Sequence, residues 1–65
     1  MVTMVRVEVE GRVKNAEART VRELMDHLGV NPEEYVAVLN GEVVTEAEPL
    51  SPGDSVKLVR VWSGG

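Results

Sequence analysis

The stretch Thr20-Val21-Arg22-Glu23-Leu24-Met25-Asp26-His27-Leu28-Gly29 is the one segment of the chain with a helical period, and it decides how the rest is read. Val21, Leu24, Met25 and Leu28 fall at i, i+3, i+4 and i+7 and make one apolar stripe, while Arg22, Glu23, Asp26 and His27 take the other side. The Thr20 hydroxyl can accept from the Glu23 N–H, and the Glu23 carboxylate can reach back to the Thr20 N–H, which is a capping box. Gly29 ends the helix in the left-handed conformation that glycine adopts without strain. The spacing predicts one single-sided helix of roughly nine residues.

On the N-terminal side, Met4-Val5-Arg6-Val7-Glu8-Val9-Glu10 alternates, with Val5, Val7 and Val9 on one face, the period of a half-buried strand. Glu10-Gly11 marks a tight turn into a second, less regular strand from Arg12 toward Arg19, so the two make an antiparallel hairpin. On the C-terminal side, Asn31-Pro32-Glu33-Glu34 reads as a short helical turn. Tyr35-Val36-Ala37-Val38-Leu39 is an apolar run suited to a central strand. Asn40-Gly41 supplies the two positive-φ positions of a hairpin turn and returns the chain through Glu42-Val43-Val44-Thr45. Leu50 is expected to plug the core, Ser51-Pro52-Gly53-Asp54 to turn, and Ser55 to Trp62 to form the last strand.

A helix with one apolar stripe buries it against one face of a sheet, so the expected class is α+β, in two layers and in the order β-β-α-β-β-β. The valine-rich first and last strands are expected side by side at the centre of a mixed sheet of five strands. The body is expected to span residues 1–62, with residues 63–65 a flexible diglycine tail.

Composition narrows the function. Sixty-five residues make one domain, which buries only about 60% of its unfolded surface and leaves no room for a deep pocket of ~300–1,000 Å³. Cysteine is absent, which excludes disulfides, thiolate zinc sites and a thiol nucleophile within these residues. His27 is the sole histidine and lies on the polar side of the helix, so no metal site is expected. A net charge of −4, with seven basic residues interleaved among eleven acidic ones, argues against nucleic acid. Neither a signal peptide nor an apolar run long enough for a membrane span is seen, and a cytoplasmic location is expected. Glu8, Glu10, Glu33, Glu34 and Asp54 read as solvated faces and turn formers, not as a catalytic pair.

The helix Thr20-Val21-Arg22-Glu23-Leu24, the hairpin Val36 to Val44, the corner Leu50-Ser51-Pro52-Gly53-Asp54-Ser55-Val56 and the final Gly64-Gly65 together resemble the ubiquitin-like β-grasp proteins. Within these the chain looks like the sulfur-carrier branch, ThiS and MoaD, and the related archaeal-type small modifier proteins. The resemblance implies a carrier, not an enzyme, that binds no cofactor of its own. An E1-like adenylating enzyme would use ATP to activate the Gly65 carboxylate, which would then become a thiocarboxylate for thiamine, molybdopterin or tRNA thiolation. The sulfur would arrive by a sulfurtransferase and leave to a sulfur-acceptor synthase. The alternative is a protein modifier whose Gly65 forms isopeptide bonds with lysines of target proteins, and the two roles can coexist. A plain β-grasp interaction domain is the third possibility. Gly64 would be the steric requirement for threading the tail, since glycine is slim and reaches backbone angles closed to other residues.

Alternation in the last strand puts Val56 and Leu58 on one face and Lys57, Val59 and Val61 on the other. If the first pair faces the helix, Val59 and Val61 lie on the open face of the sheet and, with Lys57, suit docking on the activating enzyme. Val38 or Leu39 would extend that patch, and the run around them is apolar on both faces. Trp62 would either anchor the tail in the partner or cover the edge of its own core. Lys14 and Lys57 are the only lysines. The protein is expected to be a monomer.

Overall fold

The computed structural model describes residues 2–61. Five strands and one helix follow in the order β1 (Met4–Val9), β2 (Arg12–Glu17), α1 (Val21–Leu28), β3 (Tyr35–Leu39), β4 (Glu42–Val44) and β5 (Ser55–Arg60). The sheet runs β2-β1-β5-β3-β4, and its one parallel pair is β1 with β5, at the centre as expected.

Alternation decides which side chains are covered. Val5 and Val7 of β1 and Val56 and Leu58 of β5 are buried beneath α1, together with Ala37, Leu50, Val21, Leu24 and Met25. Among the described residues no polar or charged side chain is buried, so the core is wholly aliphatic apart from the Met25 sulfur.

Both ends of α1 are satisfied. An α-helix leaves its first N–H groups without an internal partner. Here the Glu23 N–H donates to the Thr20 hydroxyl at 3.2 Å, the hydroxyl half of the capping box. The two preceding donors are met by an irregular segment: the Val21 N–H reaches the Glu48 carbonyl at 3.1 Å and the Arg22 N–H the Glu46 carbonyl at 2.9 Å. That segment is itself held by the Leu50 N–H on the Arg19 carbonyl at 2.7 Å, which seats Leu50 in the core. At the other end Gly29 has φ 71°, its N–H donates to Asp26 O and the Val30 N–H to Met25 O, a Schellman ending.

Four elements are shorter than their expected spans, among them β5, whose regular strand ends at Arg60 and not at Trp62. β2 is a regular strand only to Glu17; one further rung of the same register follows, the Ala18 N–H on the Thr3 carbonyl at 3.0 Å, and there Ala18 enters the core. β4 stops at Val44, and α1 has eight residues. The Asn31–Glu34 segment is a turn in which the Asn31 side-chain oxygen accepts from the Glu33 N–H at 3.0 Å and its carbonyl from the Glu34 N–H at 2.9 Å.

Candidate functional site

The strand that leads toward the tail lies at the middle of the sheet. β5 is flanked by β1 on one side and β3 on the other, so both of its backbone edges are paired. The pairing with β3 runs one residue past the strand, where the Val61 N–H donates to the Glu34 carbonyl at 2.8 Å. The last described residue is therefore anchored to the body. Trp62, Ser63, Gly64 and Gly65, which carry the expected tail and its covalent position, lie outside the described residues.

Register places the candidate interface residues. Val56 and Leu58 are each 2% exposed beneath the helix, so Lys57 and Val59 stand on the open face, where Val59 and Val61 are each 42% exposed. β3 follows from its pairing with β5. Ala37 opposes Leu58 and is buried, so Val36, opposite Val59, and Val38, opposite Lys57, are on the open face. Val43 of β4 opposes Val38 and is 74% exposed. The choice between Val38 and Leu39 thus falls to Val38, since Leu39 packs against the core. The result is an aliphatic band of Val36, Val38, Val43 and Val59, with Val61 at the end nearer the tail.

Val36 and Val43 were not anticipated as part of this face. The usable signal was Ala37, the one short side chain in the run, which marks the side where helix side chains need room. Lys57 lies between the band and the open face of β1, which carries Arg6 and Glu8. Its ammonium is 3.8 Å from the Glu8 carboxylate directly opposite on β1, with both side chains substantially exposed. Such a surface pair contributes about 0–1 kcal/mol and acts chiefly to hold Lys57 on one side of the face.

The face is shallow. A depression of about 290 Å³ bordered by Arg6, Glu8, Val38 and Ser55 is open to solvent. No group of His, Asp or Glu among the described residues could hold a metal ion. No described helix is long and apolar enough to cross a membrane. Among the described residues the face is exposed aliphatic surface beside an open depression.

Comparison with known proteins agrees with this arrangement. The ThiS family model matches residues 4–65. A curated relative, the sulfur carrier protein TtuB of Thermus thermophilus, is 36% identical over 59 residues, covering 91% of this chain and 82% of its own length. Among solved structures, the thiamine biosynthesis protein ThiS of Geobacter metallireducens superposes with a TM-score of 0.64 at 29% identity, over 92% of this chain and 99% of its own. A ubiquitin of Caldiarchaeum subterraneum gives 0.71 at 15% identity, full-length on both sides, a likeness of fold. Proteins of this kind carry sulfur between enzymes and are not themselves catalysts. The ubiquitin-like β-grasp, the family match through the final glycines and the similarity to a sulfur carrier lead to one conclusion: the chain belongs to the ThiS family.

Proposed function

We propose that the protein carries sulfur as a thiocarboxylate on Gly65. The observation that carries this reading is the family match, which runs from β1 through Gly64-Gly65. An α-carboxylate is ionised at neutral pH and is a poor acyl donor until activated. In the proposed cycle it attacks the α-phosphorus of ATP in an E1-like enzyme and expels pyrophosphate. A sulfide-equivalent nucleophile then attacks the acyl-adenylate carbon and displaces AMP. The carrier supplies no catalytic group; it supplies a reactive end and a surface by which the enzyme can hold it.

The open-face valines Val59, Val61 and Val38, with Lys57 beside them, are the proposed docking surface for the adenylating enzyme. Exposed aliphatic side chains grouped in this way suit an interface, and the band follows β5 toward the tail. A sulfurtransferase and a sulfur-acceptor synthase are the further proposed partners, and the cytoplasm the proposed location.

The test is the intact mass of the protein after incubation with an E1-like adenylating enzyme, ATP and a sulfur source. Replacement of one oxygen by sulfur, located at the C-terminal peptide, is expected. Isopeptide conjugates with no thiocarboxylate would assign the modifier role instead. An unchanged mass with a partner that adenylates other carriers would overturn both.

A further inference from the structure

β2 is an edge strand. In the two-residue hairpin that joins it to β1, Val9 and Arg12 form the closing hydrogen-bonded pair. Antiparallel alternation then turns the backbone groups of Lys14 and Ala16 toward β1, and those of Val13, Asn15 and Glu17 outward. Among the described residues no strand or loop pairs with that outward edge. Edges are usually blunted by proline, a bulge or shortness. β2 has six residues, no proline and an unbroken register, whereas the opposite edge, β4, has three residues with Glu42 and Glu46 around it.

The side chains beside this edge are equally distinctive. Arg12 and Lys14 oppose Val9 and Val7, so they project on the helix side of the sheet. With Leu28 and Val30 from the end of α1 they line a depression of about 340 Å³ whose floor is aliphatic. Glu10 also borders it, with its carboxylate accepting from the Tyr35 hydroxyl at 3.4 Å. Among the described residues the one ion pair is Lys57 with Glu8, so Arg12 and Lys14 are uncommitted. In a chain of net charge −4, two uncommitted cations stand over an apolar floor next to an unpaired strand edge.

We propose that the β2 edge docks an extended segment of a partner protein whose helix-side residues are aliphatic and acidic. Its backbone would pair with Val13, Asn15 and Glu17, its aliphatic side chains would cover Leu28 and Val30, and its carboxylates would meet Arg12 and Lys14. This surface is separate from the valine band of the open face, and its test is independent of sulfur transfer.

The probe is the capped peptide Ac-Val-Ser-Val-Ser-Glu-Ser-Glu-NH2, added to the ¹⁵N-labelled full chain and followed by amide chemical shifts. The expected shifts lie at Val13, Asn15, Glu17, Leu28 and Val30, with Val38 and Val59 unmoved. Reversing both cations, Arg12→Glu with Lys14→Glu, should weaken the acidic peptide by about tenfold or more, since each exposed pair changes from attraction to repulsion. The same variant should gain preference for the peptide with lysine in place of glutamate, while its denaturation curve stays that of the parent. Absence of shifts at millimolar peptide, shifts confined to β4 or the open face, or unchanged affinity in the charge-reversed variant would each overturn the proposal. Concentration-dependent shifts at Val13 and Asn15 without peptide would assign the edge to a second copy of the chain and overturn it as well.

Discussion

Asn40 and Ser55 exchange two hydrogen bonds: the Asn40 N–H donates to the Ser55 carbonyl at 2.9 Å, and the Ser55 N–H donates to the Asn40 side-chain oxygen at 3.2 Å. The Asn40 amide also reaches the Asp54 carboxylate at 3.4 Å, whose other oxygen accepts from the Ser51 N–H at 2.8 Å. The β3–β4 hairpin and the corner before β5 are thereby one unit. Asn40 does this from φ 49°, a conformation that asparagine tolerates better than most residues.

Asn40→Gly keeps the backbone conformation and removes the side-chain bonds, so a loss of about 1 kcal/mol is expected. Asn40→Ala adds the strain of a left-handed alanine and should lose about 2 kcal/mol. Urea denaturation of the two variants separates the contributions. Equal losses would mean that the backbone conformation is not strained.

Glu10 sits at φ 49° in the other hairpin, where neither its shape nor its charge favours that region. Glu10→Asn should raise stability by about 0.5 kcal/mol, or a few degrees in melting temperature. The bond it gives up, from the Tyr35 hydroxyl, is long and exposed. Tyr35→Phe is the control and should leave the melting temperature nearly unchanged.

Leu24 is fully buried at the centre of the helix stripe. Leu24→Ala should cost about 2–5 kcal/mol, enough to unfold much of a domain this small. Val43→Ala, at an exposed position on the open face, should stay within about 0.5 kcal/mol. Circular dichroism at 25 °C distinguishes the two directly.

Charge placed in the valine band should separate docking from folding. Val59→Glu paired with Val38→Glu is expected to slow adenylation by about tenfold or more through burial of unpaired carboxylates at the interface, seen as a raised KM. The melting temperature should move little, since both positions face away from the core. Gly64→Val should instead lower kcat with KM kept, because the body still docks while the tail no longer threads. Identical kinetic signatures for the two variants would argue against separate docking and threading roles.

Much of the fold was legible because it is local. β1 alternates, α1 has its stripe between a threonine cap and a glycine stop, and Asn40-Gly41 announces its turn. The unread parts depend on distant partners. The open-face assignment of Val38 needed the register of β3 against β5, since every residue from Tyr35 to Leu39 is apolar or aromatic. The Glu8–Lys57 pair needed the parallel alignment of the first strand with the last. The segment from Glu46 to Leu50 looked like a plain connection, and its task is to supply carbonyls to the start of α1. No periodicity encodes that. For the candidate site, the diglycine and the Val59–Val61 side of β5 were visible in the sequence, whereas Val36, Val43 and the choice of Val38 needed the register of β3.

The parallel pairing of β1 with β5 also governs when the protein can exist. About three quarters of the sequence separates Arg6 from its neighbour Ser55, and such remote pairing is slow to form. Until β5 is synthesised, the residues of the first hairpin and the helix lack the strand that joins them to β3. Folding therefore waits until β5 has emerged, and the sheet closes in the same step that fixes the base of the tail. Any product released before Ser55 is left without its central strand and open to proteolysis.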